Sequence, residues 1–260
     1  MRLPTPEAVP DTPAQRAADK RRWLRAFNLS LAFVLVLIAV FSAQGHFDVG
    51  AWTVQPWSAE GLRGLLAAPL LHGSFEHVAA NAIALLMLGT LAGGLYPRAT
   101  LRALPLLWLG SGLGAWLLGD PGTRHLGASG VTHGLMFLVF VLGLLRRDRA
   151  SIAASMLAFM FYGGMLLTIL PREPGVSWQA HLGGAVAGVL AAWLWRRVDP
   201  LPPRKRYSWE DEEESIVPLD AELERQQFEP PRPRDVPVLW NRPSREHGVV
   251  LRFPRRRDDG

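Results

Sequence analysis

Cysteine is absent from all 260 residues. That excludes disulfides, thiolate nucleophiles and Cys-based metal or iron–sulfur sites, and leaves the redox compartment open. Charge is absent from six stretches, 26–47, 77–97, 103–119, 125–145, 150–171 and 174–195, each 17 to 22 residues long without Asp, Glu, Lys or Arg. A helix rises 1.5 Å per residue, so about 20 residues cross the roughly 30 Å of bilayer hydrocarbon. Each stretch is long enough for one crossing, and the expected fold is an all-α membrane protein of six transmembrane helices. No small-residue cleavage site follows the first stretch and five more come after it, so it reads as a retained helix rather than a secretory signal. No repeat of fixed period is present.

The mean hydropathy of +0.11 averages two different materials. Residues 26–197 are apolar with charges in small clusters, whereas 198–260 carry 12 Lys/Arg, 14 Asp/Glu and 10 of the 21 prolines. The expected division is a cytoplasmic N-terminal segment at 1–25, a six-helix membrane domain at 26–197 and a charged, Pro-rich, disordered cytoplasmic tail at 198–260. Such a tail can carry short pieces that bind cytoplasmic partners.

The formal charge of +5 does not point to nucleic acid, because residues 1–197 hold the surplus, 16 Lys/Arg against 9 Asp/Glu. Bilayer orientation accounts for it. With alternating crossings, Arg2, Arg16, Lys20, Arg21, Arg22, Arg25, Arg98, Arg102, Arg146, Arg147, Arg149, Arg196 and Arg197 fall on one side, and only Arg63, Arg124 and Arg172 on the other. The positive-inside rule then makes both termini cytoplasmic. Compactness and the lack of organelle-targeting features favour a bacterial inner membrane. Trp23, Trp52, Trp57, Trp116, Trp178 and Trp195 lie near span ends, where indole rings favour the interface. The one long connection between spans, 48–76, is then external, and its apolar part from Gly64 to Phe75 is too short to cross, so it is expected to dip into the interface or pack on the bundle.

Polar groups inside a membrane are costly without partners and are functional candidates by default. Span two opens with His77 and Asn81, one turn apart on one face; span four opens with Gly127-Ala128-Ser129-Gly130 and continues to His133; span six opens with Ala180-His181 and Gly184. All three spans run from outside to inside, so these residues share one depth near the outer face, and a single site is the economical reading. Gly130-x-x-x-Gly134 and Gly184-x-x-x-Gly188 give spans four and six flat strips for close approach, with His181 on the same face as Gly184 and Gly188. Ser129 sits at a helix start between glycines, where freed N–H groups can stabilise an oxyanion, and His181 on another span can take its proton. The bland alternative is a serine bonded back to its own helix.

Three motifs in this order, His77-x-x-x-Asn81, Gly127-x-Ser129-Gly130 and Ala180-His181-x-x-Gly184 with Gly188, resemble the rhomboid family of intramembrane serine proteases across roughly residues 26–197. The resemblance implies a Ser–His dyad without an acidic third member, cleaving in or beside the transmembrane segments of other membrane proteins, with no metal and no cofactor. It implies Ser129 as nucleophile and His181 as general base. His77, Asn81 and the Ser129 backbone N–H are implied as oxyanion donors, and His72 as a residue shaping the water-accessible cavity. Glu60-Gly61-Leu62-Arg63 departs from the family's first-loop motif, with leucine where tryptophan is usual. His133 stands where many members place an aromatic against the imidazole. It can stack there, and at i, i+4 it also competes with His181 as the base.

Other readings follow from the same residues. A third acid would have to come from Asp120, Glu76 or Glu173 at the outer rim. His72, His77, His125, His133 and His181 at one depth admit a metal reading, without the carboxylate or HExxH pattern such sites use. From other functional classes stand a non-catalytic member of the same fold that binds transmembrane helices, and a small-solute transporter. The latter fits a midplane site in broken helices of inverted repeats better than a cluster near one face.

Overall fold

The chain's computed structural model describes residues 8–9, 12–201 and 204–205. Most of the expected tail, 198–260, therefore lies outside the described residues. Apart from a two-residue parallel pairing of Ala8–Val9 with Arg204–Lys205, the described residues are helical or connecting.

Helix α1 (Pro13–Ala43) starts where Thr12 accepts a hydrogen bond from the Gln15 N–H and Pro13 supplies a pre-set φ. It begins well ahead of the charge-free stretch at 26, because the charged residues 15–25 continue the helix beyond its apolar part. After the short α2 (Gly64–Ala67), α3 (Phe75–Leu95) is capped by Ser74, whose hydroxyl accepts from the His77 N–H. Helix α4 (Pro97–Leu118) follows after one residue, Tyr96. Helix α5 (Ser129–Arg146) leads at once into α6 (Arg149–Tyr162), capped by Asp148. Gly163 and Gly164 interrupt the next stretch and set off α7 (Met165–Thr168); α8 (Trp178–Trp195) completes the order.

Among the described residues four helices are long and apolar enough to cross a membrane: α1 with its 3-10 extension to His46, α3, α4 and α5. Helix α6 is apolar but only 14 residues long. The opening of α8 is diluted by Gln179 and His181. Outward faces carry Leu35, Ile83, Leu101, Phe161 and Trp193, all exposed, an arrangement suited to lipid rather than water. Leu37, Leu88, Leu107, Leu135, Leu138 and Leu142 are buried at the centre.

Helix α8 lies between α4 and α5, its two most extensive neighbours. On one side, a Cβ on Gly184 would strike the Gly130 carbonyl and one on Gly188 the Gly134 carbonyl. On the other, Gly183 meets the backbone of Gly110 and Gly114. Both faces of α8 are thus packed backbone to backbone, the close approach small residues permit.

The connection 48–76 packs on the bundle. Val54 and His125 exchange backbone hydrogen bonds at 2.9 Å in both directions, and the Gly127 N–H donates to the Ala68 carbonyl at 2.8 Å. Trp116 and Trp108 donate their indole N–H groups to the Ser58 and Leu66 carbonyls at 2.9 and 3.2 Å. Leu62 is exposed beside them. This connection therefore fixes the backbone that leads into Ser129.

At the opposite end Asp199 is 5% exposed. Its carboxylate accepts from the Arg98 and Ala99 N–H groups at 3.0 and 2.9 Å, at the start of α4. Arg146 donates to the Arg196, Asp199 and Pro200 carbonyls and lies over the Tyr96 ring. Residues 198–201, which charge pattern assigns to the tail, are tied to the bundle by a buried carboxylate that their sequence does not distinguish from its exposed neighbours.

Candidate active site

Gly127 has φ +116°, and a Cβ there would run into the His77 ring. Only glycine suits both conditions. The turn it makes delivers Ser129 to the first position of α5, partly exposed, with its N–H in a first turn whose N–H groups precede any intrahelical acceptor. Gly130 sits so close to Ser111 and the Ala180 carbonyl that any side chain would push α5 off α4 and α8.

The Ser129 hydroxyl donates to His181 Nε2 at 2.8 Å. The other nitrogen of His181, Nδ1, donates to the Thr168 backbone carbonyl at 3.0 Å. A carbonyl only accepts, so Nδ1 carries the hydrogen and Nε2 presents its lone pair to Ser129. His181 is 6% exposed. This is the geometry of a nucleophile with its general base, the base oriented by a third group.

His133 lies flat against His181, ring centroids 3.9 Å apart and planes 13° from parallel. Its Nδ1 donates to the Ser129 carbonyl at 2.6 Å, and its Nε2 lies 2.8 Å from the Thr168 hydroxyl, whose single hydrogen is shared between that nitrogen and the Met165 carbonyl at 3.1 Å. Both nitrogens bond groups other than Ser129 Oγ, so His133 stacks on His181 rather than bonding the Ser129 hydroxyl. Thr168 thus holds one histidine through its carbonyl and the other through its hydroxyl. Sequence reasoning missed it, although an uncharged polar residue within the stretch 150–171 is the sign that flagged the others.

Asn81 is 5% exposed and donates from Nδ2 to the His77 carbonyl at 3.0 Å, a bond within α3. Its amide has a second hydrogen to offer. His72 and His77 meet edge to face, centroids 5.0 Å apart. His72 Nε2 lies 3.4 Å from the Ala128 N–H, and its own backbone is bracketed by Gln44, which accepts from the His72 N–H at 2.8 Å and donates to its carbonyl at 2.7 Å. Burial, with His77 adding, holds the His72 imidazole down at about 4. Ser129, His77, Asn81, His133, Thr168 and His181 all line one cavity of about 1090 Å³, bounded by α3, α5, α7, α8 and the connections before α5 and α8.

The remaining candidates do not contact the Ser129–His181 pair, although Glu173 and His125 line the same cavity. Asp120, Glu76 and Glu173 are exposed, and none takes the position at His181 Nδ1 that the Thr168 carbonyl fills. His125 bonds Thr123 and Ser177, joining the loop before α5 to the start of α8. Among the described residues no three His, Asp or Glu side chains are grouped as metal ligands would be.

Comparison with known proteins gives a consistent picture. The sequence model of a family described as "Rhomboid domain" matches residues 59–198. An uncharacterized protein of Mycobacterium tuberculosis (strain ATCC 25618 / H37Rv) is 37% identical over 209 residues, covering 75% of this chain and 85% of that protein. An uncharacterized protein of Mycobacterium leprae (strain TN) is 33% identical over 195 residues, covering 71% and 76%.

Proposed function

This chain belongs to the rhomboid family of integral membrane proteins, and on that premise we propose that it is an intramembrane serine endopeptidase with Ser129 as nucleophile and His181 as base. The observation that carries the reading is the 2.8 Å bond from the Ser129 hydroxyl to His181 Nε2, with Nδ1 engaged by a carbonyl. In this reading the bundle crosses the membrane six times. Helices α6 and α7 share one crossing across the Gly163–Gly164 break, and α8 makes the last. Both termini face the cytoplasm of a bacterial cell, and the site lies near the outer leaflet.

The chemistry follows from the atoms. A transmembrane substrate enters the cavity that these residues line and unwinds so that a peptide carbonyl is exposed. Ser129 Oγ attacks that carbonyl carbon as its proton moves to His181 Nε2, and the Thr168 carbonyl stabilises the imidazolium through Nδ1–H. Negative charge on the former carbonyl oxygen is met by the Ser129 N–H, the free hydrogen of the Asn81 amide and His77. The C–N bond then breaks and the leaving amine takes the proton from His181. Water, deprotonated by the same nitrogen, cleaves the acyl ester and restores Ser129.

The test is cleavage of a fluorescent transmembrane substrate in proteoliposomes, paired with fluorophosphonate labelling of Ser129. Loss of both in Ser129→Ala, and loss of cleavage in His181→Ala with retention in His133→Phe, is the expected result. A wild type that neither cleaves nor labels would replace this reading with a helix-binding member of the fold.

A further inference from the structure

A second cavity, of about 480 Å³, lies at the other end of the bundle, between α1 and α4 over α3. Helix α1 packs on α3 so closely that a Cβ on Gly93 would stand 3.1 Å from that of Ala26. It packs chiefly on α3 and meets α4 where Phe33 lies against Trp108, centroids 5.7 Å apart, so a cleft remains between the basic part of α1 and the start of α4. Leu29, Phe33 and Leu104 give this cleft an apolar interior, and Arg21, Arg22 and Arg25 stand along its α1 edge.

Two polar atoms lining it are buried without a partner, Arg22 Nε and Thr100 Oγ1. Thr100 is only 6% exposed, so water does not readily satisfy its hydroxyl from outside. A buried polar group left unpaired is costly, so the cleft is incomplete as it stands. Its occupant has to bring acceptor oxygens for Arg22 and Thr100, negative charge for the arginines and an apolar body for the interior. Asp19 balances part of the charge, 3.2 Å from Arg22, and Arg21 and Arg25 leave a surplus. A zwitterionic headgroup brings a cation toward that surplus; an anionic one does not.

We propose that this cleft binds one anionic phospholipid of the leaflet at the basic end of the bundle. Its phosphodiester is held by Arg21, Arg22, Arg25 and Thr100, and an acyl chain lies along Leu29, Phe33 and Leu104. Arginine suits a phosphodiester because its planar fork donates to two oxygens at once. The site bridges the first and fourth helices of the order, so its occupancy joins α1 to the rest of the bundle.

The experiment uses the full chain purified in detergent, with dioleoylphosphatidylglycerol and dioleoylphosphatidylcholine as probes. Retained lipid is counted by native mass spectrometry, and thermal midpoints are recorded with each lipid. The wild type is expected to retain one phosphatidylglycerol at least tenfold more than phosphatidylcholine. The triple variant Arg21→Gln, Arg22→Gln, Arg25→Gln loses that preference. The control triple Arg102→Gln, Arg149→Gln, Arg197→Gln removes the same charge from exposed arginines outside the cleft and keeps it. Thr100→Val, which leaves every charge in place, lowers phosphatidylglycerol retention several-fold at an unchanged lipid-free midpoint. Equal retention of the two lipids by wild type, or equal loss of preference in both triples, overturns the proposal. So does full retention by Thr100→Val. The readout involves no cleavage, so a negative result leaves the protease reading intact, and an inactive protease leaves this site intact.

Discussion

The Thr168 backbone carbonyl accepts the Nδ1–H of His181 at 3.0 Å. In a Ser–His–Asp triad a carboxylate occupies that position, fixing the tautomer and stabilising the imidazolium. Here a backbone dipole at the end of α7 stands there, and the same residue's hydroxyl bonds His133. Substitution of Thr168 leaves the carbonyl in place and removes only the hydroxyl. Thr168→Val is expected to lower kcat about fivefold with KM unchanged, the effect of one neutral hydrogen bond of about 1 kcal/mol. Thr168→Ser is expected to stay within about twofold. Equal loss in both variants would mean that the methyl group, not the hydroxyl, supports the histidine pair.

The glycine contacts between α5 and α8 predict a steep response to small side chains. Gly184→Ala places a Cβ against the Gly130 carbonyl and is expected to destabilise by about 1–3 kcal/mol, the usual cost of overpacking. Thermal unfolding in detergent reads this directly. Gly164→Ala, where a Cβ meets nothing within 4 Å, is the control and is expected to change little.

His72 supplies a pH dependence. Its folded pKa of about 4 lies below the ordinary 6.5, through burial first and His77 second. The unfolded chain therefore takes up a proton before the folded one does. The stabilisation is present above about pH 6.5 and is lost as pH falls toward about 4, by at most about 3 kcal/mol. Thermal midpoints at pH 7.5 and pH 4.5 measure the fall, and His72→Gln is expected to make it smaller. An unchanged fall would assign the acid sensitivity to other groups.

Asp199 caps the start of α4 from the far side of α8, where a carboxylate is favoured by two N–H groups and the positive helix end. Truncation after Leu201 is expected to leave the thermal midpoint nearly unchanged, and truncation after Arg197 to lower it by several degrees. Asp199→Asn tests the charge alone and should fall between the two.

Much of the arrangement was legible because membranes penalise polarity. His77, Asn81, Ser129, His133 and His181 stood out as polar residues in charge-free stretches, and alternating crossings placed them at one depth. Thr168 carried the same mark but no motif, and the atom it contributes to His181 is a carbonyl, which every residue has. The break at Gly163–Gly164 was visible as a glycine pair, yet the uncharged stretch ran through it and read as one helix. The start of α1 is also written in Thr12-Pro13, but the charges that follow keep its first turns out of any uncharged run. Asp199 is one acidic residue among many near its end of the sequence, and nothing in the charge pattern marks it as the one that caps α4. The proposed lipid cleft depends on how α1 divides its packing between α3 and α4, a property that no single stretch encodes.

The two glycine faces of α8 act as a ruler. Backbone locked against backbone on both sides leaves the helix little room to slide or turn, so the height and heading of the imidazole are set by counting residues from Gly184 back to His181. Each residue added to that interval would swing the ring by about 100° and raise it by about 1.5 Å. The separation between the Ser129 hydroxyl and the His181 ring is therefore stored in the length of a three-residue interval, and an insertion there would uncouple the pair without altering either side chain.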